Sequence, residues 1–373
     1  MSDLFPPDRL ARAQRATAAA GLDALLITPG ADLRYLTGYQ AMPMERLTCL
    51  VVPAGGDPFL VVPLLERPAA LASPVAGLGI EVHGWQETED PFAVAAGGLR
   101  DALGGKPAMV ALANRMWAEH ALALQVATGA EVTLAGRVLR ELRMRKSPAE
   151  VDALRRAGQA IDRVHRRMGE WLRAGRTEAE VGRDIAEAIV AEGHVRADFT
   201  IVGSGPNGAS PHHEMSERVI QPGDPVVVDI GGVTPEGYCS DSTRTYVVGG
   251  DPDPEFARYY AVLQAAQEAG CAAVRPGVPC EGVDAAARAV IAEAGYGEYF
   301  VHRTGHGIGL EVHEEPYLVA GNAEPLAPGM AFSVEPGIYL PGRHGARIED
   351  ICVCTEDGVE RLNLVSRDLV VLP

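Results

Sequence analysis

Residues 302–316 read HRTGHGIGLEVHEEP: three histidines and three carboxylates in fifteen positions, punctuated by Gly305, Gly307 and Gly309. His302 and His306 stand four apart, which on a helix would present two imidazoles to one metal. The glycines oppose a helix, since each costs about 1 kcal/mol against alanine. Extended or irregular backbone is expected instead, with glycines admitting a ligand or a second strand closely. On such backbone His306 and His313 reach one cavity only if the chain bends between them. A lone histidine is ordinarily a surface or satisfied core residue. Three in one glycine-rich segment indicate a site.

Four acidic residues upstream and downstream share an unusual setting. Asp229 sits in VVVDIGG, Asp241 in GYCSDSTRTYVV, Glu335 in FSVEPGIY and Glu349 in GARIEDICV, each among strand-forming apolar residues. A charge in such a run is costly to bury unless it is paired or bound to metal. Taken singly, an Asp at a strand end is more often a cap or a surface group. With His306 the set comprises four carboxylates and one imidazole, which would repel itself without cations. Two divalent ions bridged by shared carboxylates remove that repulsion.

Outward from the site, the second half of the chain reads as helices alternating with strands. Ser147-Pro148-Ala149-Glu150 is a capping box with proline at the first helical position, and predicts a helix to about residue 173. Thr177 to Glu180 repeats the signal. Strands are predicted at 199–202, 225–231, 238–248, 331–340 and 346–355, and helices at about 254–274 and 281–294. Two helices then strands, twice over, suggest a duplicated α+β unit, although no sequence repeat is visible. The first half alternates differently. A helix at 8–20 is followed by strands at 23–28, 47–53, 59–63, 79–83 and 107–112, with helices at 65–71, 91–103 and 117–127. That is an α/β pattern without catalytic spacing, read as scaffold or interface. The boundary is placed near 145, after a basic patch at 140–146, giving an α/β domain over 1–145 and an α+β domain over 146–373.

The 373 residues are 47% hydrophobic and 22% charged, which is ordinary globular composition. The net charge of −17 argues against nucleic acid or an anionic membrane as the main partner, and is read as solubility. No apolar run approaches the roughly 18 residues of a membrane span. The first 21 residues lack a basic head followed by an apolar core, so no signal peptide is expected. The six cysteines are scattered without a CxxC pair, and a cytoplasmic protein without disulfides is expected.

The second half resembles the metallopeptidases of the pita-bread fold that include methionine aminopeptidase, aminopeptidase P and prolidase, and looks most like the Xaa-Pro peptidase branch. The matching segments are SGPNGASPHH, VVVDIGG, GYCSDSTRT, HRTGHGIGLEVHEEP, FSVEPGIYLPG and GARIED, spread over residues 204–350. DALLITPGADLRYLTGY resembles the creatinase/prolidase N-terminal domain more loosely. The resemblance implies that Asp229 chelates one ion, that His306 and Glu335 hold the other, and that Asp241 and Glu349 bridge them. It implies an activated water as nucleophile, with Glu335 also shuttling a proton to the leaving nitrogen. It places His212, His302 and His313 where relatives bind substrate and stabilise the oxyanion. The carboxylate-rich ligand set suits Mn²⁺, with Co²⁺, Fe²⁺ or Zn²⁺ as alternatives. Arg347, read as lying on the strand face of Glu349, is expected to steady that carboxylate or a substrate terminus, or to serve as a structural ion pair. His213 has no assigned role.

No ligand position departs from the family pattern, which counts against creatinase-like relatives and against ligand-losing binding proteins. The expectation is a two-metal hydrolase of small peptides that cuts the bond before proline, from dipeptides. Aminopeptidase P activity on longer Xaa-Pro-Yaa peptides and hydrolysis of a small non-peptide amide remain as alternatives. A homodimer is expected by analogy.

Overall fold

The structure, a computed structural model, describes residues 4–373. Residues 1–3, part of the stretch read above for a signal peptide, lie outside the described residues. The chain divides into two compact units, the first ending at Arg143 and the second running from Met144 to Pro373.

In the first unit, strands β1 (Ala24–Ile27), β2 (Cys49–Pro53), β3 (Phe59–Pro63), β4 (Glu81–Trp85), β5 (Met109–Leu112) and β6 (Glu131–Leu134) form one sheet in the order β4-β3-β2-β1-β5-β6. β2 runs antiparallel to both β1 and β3, while the β1–β5, β5–β6 and β3–β4 pairs are parallel. β1, β2 and β3 are buried at every residue, which is why they read as continuous apolar runs. β6 is an edge strand exposed at Glu131, Val132 and Leu134, so its sequence carries no core signature. Two helices also go unmarked by the sequence pattern. Ala31–Thr37 has seven residues and stops at Gly38, whose φ of 71° is the left-handed C-terminal cap that glycine adopts freely. Gly136–Met144 takes up most of the basic patch.

The second unit opens with the helices Pro148–Arg166 and Glu178–Ala191. Both begin with the capping boxes read from the sequence, Ser147 with Glu150 and Thr177 with Glu180. The first ends seven residues earlier than expected, because the chain leaves the helical path at Arg167 and buries Met168 and Leu172 in the core through a short 3₁₀ turn. Strands β7 (Arg196–Ser204), β8 (Pro225–Val233) and β9 (Cys239–Val248) follow, then the helices Pro254–Ala273 and Cys280–Glu293. The remaining strands are β10 (Gly305–Gly307), β11 (Glu314–Leu318), β12 (Ala331–Val334), β13 (Gly337–Leu340), β14 (His344–Arg347), β15 (Asp350–Cys354), β16 (Val359–Arg361) and β17 (Val370–Leu372). They form sheets ordered β17-β9-β8-β7, β11-β10-β12-β15-β16 and β13-β14.

The two long strands expected at 331–340 and 346–355 are each broken, and the breaks face each other. β12 pairs with β15 as far as Val334 opposite Asp350, and β13 pairs with β14 from Gly337 opposite Arg347. Pro336 supplies a reason on one strand: it has no N–H for a ladder and restricts the residue before it. The bend leaves Glu335 and Glu349 at the junction between two sheets.

Candidate active site

The floor of the site is the β8–β9 ladder. Asp229 lies opposite Thr243 and Asp241 opposite Gly231, so the two carboxylates are diagonal neighbours on one face. The breaks bring the other two carboxylates to them. The Glu335 amide donates to the Thr304 carbonyl (2.8 Å) and the Glu349 amide to the Thr243 carbonyl (3.1 Å), so the bend is held by strands outside its own hairpin. Thr243 also donates from its hydroxyl to Glu349 Oε2 at 2.7 Å.

His306 comes from β10, whose glycines permit its position. A Cβ on Gly305 would run into the Ser333 carbonyl, and one on Gly307 into the Glu315 carbonyl. The backbone is extended, as its glycines indicate, and the reversal from β10 into antiparallel β11 supplies the bend. The rings of His306 and His313 end 3.9 Å apart. His306 Nδ1 is 3.1 Å from the Gly307 carbonyl and donates to it, which turns Nε2 toward Glu335 Oε1 at 3.2 Å and Asp241 Oδ2 at 3.6 Å. Glu314, nearby in sequence, is instead paired with buried Lys146.

The donor atoms group as cations require. Asp229, Asp241 and Glu349 offer oxygens within 4.8 Å of one another, and a ring nitrogen of His306 lies within the same distance of oxygens of Glu335 and Glu349. The two triads share Glu349. A third group joins His313 to Asp241 and His306. Asp229 Oδ1 and Glu349 Oε1 are buried without a hydrogen-bond partner, whereas buried polar atoms are normally satisfied. Burial, then the charges of neighbouring carboxylates, pushes Asp241 and Glu349 well above the usual carboxylate range. Burial opposes ionisation of Glu335 too, but the bond and charge of His306, with His302 and Arg347, outweigh it and hold that carboxyl at about 2. Orphaned oxygens and retained protons are what a bound cation would satisfy and displace. The residues fit a metal centre.

Arg347 ends β14 and meets Glu349 through the shared Thr243 hydroxyl rather than directly, and its charge draws that carboxyl down against burial. Its Nη2 donates to Asp229 Oδ2 (2.6 Å), its Nε to the Thr243 hydroxyl (3.1 Å) and its Nη1 to the Tyr339 hydroxyl (2.7 Å) and the Pro211 carbonyl (3.3 Å). Its direct bond to a site carboxylate is the one to Asp229.

His302 also differs from expectation. Its Nδ1 donates to the Arg303 carbonyl (2.7 Å) and its Nε2 accepts from the Tyr339 hydroxyl (2.9 Å), so neither nitrogen is left for an oxyanion. Arg347, Tyr339 and His302 thus form a chain of donors. His212 is exposed and lines the same cavity. His313 has its proton pushed off by burial and then by His306, to about 4, so it is a neutral imidazole near neutral pH.

The cavity over these groups measures about 970 Å³. Phe199, Ile201, Val301 and Val312 supply apolar wall beside the histidines and carboxylates. Three residues outside the sequence reading organise it. Thr243 lies two residues beyond Asp241 on the same strand face, a period-2 signal that could have found it. Tyr339 carried no signal. Glu178, fully buried at the start of its helix, accepts from Ser204, Asn207, His213 and Ser216, and so ties down the segment bearing His212. This also accounts for His213.

Fold and site together define a hydrolase whose α+β catalytic unit, following an α/β unit in the chain, carries residues that could bind metal ions. The chain belongs to metallopeptidase family M24, which residues 152–356 match, while residues 9–145 match the creatinase/prolidase N-terminal domain. It is a peptidase. It is 58% identical over 365 residues to the probable dipeptidase PepE of Mycobacterium tuberculosis, covering 98% of this chain and 96% of that one. It is 37% identical over 357 residues to the Xaa-Pro dipeptidase of Lactobacillus delbrueckii subsp. lactis, with 95% and 96% covered. The crystal structure of dipeptidase PepE from Mycobacterium ulcerans superposes with a TM-score of 0.92 at 58% identity over 98% of this chain and 97% of that one. The prolidase of Thermococcus sibiricus gives 0.90 at 36% identity, with 98% of each chain covered. These neighbours share the pita-bread fold expected from the sequence motifs.

Proposed function

We propose that this chain is a two-metal Xaa-Pro dipeptidase. The observation that carries the proposal is the pair of ligand triads sharing Glu349, with two buried carboxylate oxygens lacking partners inside one cavity. Asp229 would hold one ion and His306 and Glu335 the other, with Asp241 and Glu349 available to both. Mn²⁺ suits a set of four carboxylates and one imidazole, with Co²⁺, Fe²⁺ or Zn²⁺ as alternatives. When bound, such ions supply a water activated near neutral pH and polarise the scissile carbonyl.

The protein's own residues do the rest. Arg347 holds Asp229 by one oxygen and leaves the other directed into the site. Glu335, ionised at neutral pH, is the proton carrier between the nucleophile and the leaving nitrogen. His212 and His313 face the cavity with ring nitrogens available to the developing oxyanion. His302 acts at one remove, by holding Tyr339. A substrate with proline after the scissile bond has no N–H to donate, so recognition rests on its apolar ring and its charged ends. The names of the relatives support a dipeptidase, and the Lactobacillus relative supports the Xaa-Pro class.

Among the described residues no helix is long and apolar enough to cross a membrane. We propose a cytoplasmic homodimer acting on small peptides, with neither nucleic acid nor membrane as partner. The deciding experiment is hydrolysis of Xaa-Pro, Xaa-Pro-Yaa and Xaa-Ala peptides after Mn²⁺ loading. Fastest turnover of Xaa-Pro is expected. Faster cleavage of Xaa-Pro-Yaa would move the activity to aminopeptidase P, and faster cleavage of Xaa-Ala would make it a general dipeptidase.

A further inference from the structure

A dipeptide presents a free carboxylate one residue beyond the bond that is cut, and a site selective for dipeptides needs a cation to meet it. Two guanidinium groups line the cavity, those of Arg303 and Arg347. Arg347 is committed to Asp229, Thr243, Tyr339 and Pro211, which take up four of its five N–H donors. Arg303 is different. Its guanidinium rests 4.4 Å from the centre of the Tyr317 ring. Among the described residues its side chain has neither an ion pair nor a hydrogen bond.

Its backbone is firmly placed, because the Arg303 carbonyl accepts from His302 Nδ1 and the next residue, Thr304, is tied through its amide and hydroxyl to buried Asp284. Tyr317 stands directly opposite His306 in the β10–β11 ladder. The aromatic face that carries the guanidinium is therefore one strand from the imidazole at the metal centre. A cation on an aromatic face keeps its N–H donors at the ring edge free for a carboxylate. The other acidic group in the wall outside the metal set, Asp198, is already paired with Arg196.

We propose that Arg303, seated on Tyr317, binds the free C-terminal carboxylate of the substrate and so makes this site a dipeptidase. The proposal rests on the Xaa-Pro reading above. A tripeptide would leave the guanidinium without its partner and force the extra residue past it. The Arg303 charge also helps keep His313 neutral.

The test compares wild type, Arg303→Gln and Arg303→Lys, all Mn²⁺-loaded, on Ala-Pro, Ala-Pro-amide and Glu-Pro. A charge-assisted bond lost to glutamine should lower kcat/KM for Ala-Pro by about 10–100-fold. Ala-Pro-amide should change by less than about twofold, erasing the preference for the free acid, with Arg303→Lys intermediate. Binding is read separately by calorimetry with an Ala-Pro analogue whose amide is replaced by CH₂–N. Its Kd should rise at least about tenfold in Arg303→Gln, with metal content per chain unchanged. Equal losses on acid and amide would overturn the proposal, and so would a loss confined to Glu-Pro, which would mean that Arg303 reads the first side chain. Wild type that cleaves acid and amide equally would overturn it as well. Wild type that cleaves none of these substrates, yet binds the analogue through Arg303, would instead overturn the Xaa-Pro reaction.

Discussion

Arg347 Nη2 donates to Asp229 Oδ2 at 2.6 Å while Asp229 Oδ1 has no partner. One oxygen is anchored and the other is held ready for a cation. Burial works against the Arg347 charge, but Tyr339, Asp229, Glu335 and Glu349 outweigh it and keep the guanidinium protonated. Lysine would keep the charge and lose the fork that reaches Asp229, Thr243 and Tyr339 together. Arg347→Lys should therefore lower metal affinity or turnover by about 10–100-fold, the usual effect of losing a group that orients a ligand. Competition with a fluorescent chelator, run beside kcat, checks it. Unchanged values for both would show that orientation of Asp229 does not matter.

Glu178 gives a prediction away from the metal. Its carboxylate accepts from both the amide and the hydroxyl of Ser204 and from His213 and Ser216. Burial opposes its ionisation, yet these bonds win and hold it below the usual range. In Glu178→Gln an NH₂ group would face donors, so the segment carrying Pro211 and His212 should loosen. The expected result is a kcat/KM reduced by about tenfold, expressed mainly in KM, with bound metal intact. Loss of metal instead would mean that Glu178 supports the cage directly.

The five proposed metal ligands were legible because each interrupts an apolar or glycine-rich run that has no other use for it. The partners of those ligands were not. Arg347 and Glu349 are two residues apart, but their link through Thr243 and the direct bond from Arg347 to Asp229 depend on strands distant in sequence. Pro336 was the visible sign that its own strand breaks. The state of His302 could not be read at all, since its two nitrogens are occupied by a backbone carbonyl and by Tyr339 from a distant strand. In the first unit the central strands were clear, and β6 was hidden because an exposed edge needs no apolar pattern.

His165 provides a pH prediction. It is buried between the Tyr246 hydroxyl (2.9 Å from Nδ1) and the Ser242 carbonyl (3.2 Å from Nε2). Burial, then the charge of Arg244, pushes it from 6.5 down to about 3. Below pH 6.5 the unfolded chain takes up a proton that the folded chain refuses until about pH 3. Stability from this group is thus complete above pH 6.5 and falls as pH drops through that window, by about 1.4 kcal/mol per unit. Between pH 6.5 and 5 the loss should be about 2 kcal/mol. Urea unfolding of chelator-treated protein at several pH values should show a shallower decline for His165→Gln than for wild type. Parallel declines would mean that another group governs the acid sensitivity.

His306 and His302 lie four residues apart with different surroundings, and their variants should separate metal binding from turnover. Metal content per chain and kcat, measured together by elemental analysis and peptide hydrolysis, test the two-metal account most directly. Wild type should hold two ions and reach full activity only when both are bound. Glu349→Ala removes the shared ligand and should lose most of its metal as well as its turnover. His306→Ala should lose mainly one ion. His302→Ala should keep both and lose kcat by about 10–100-fold, because Tyr339 and the site it steadies are disturbed. The contradicting result is full wild-type activity with one ion or none, or a His302→Ala protein that sheds metal while His306→Ala retains it.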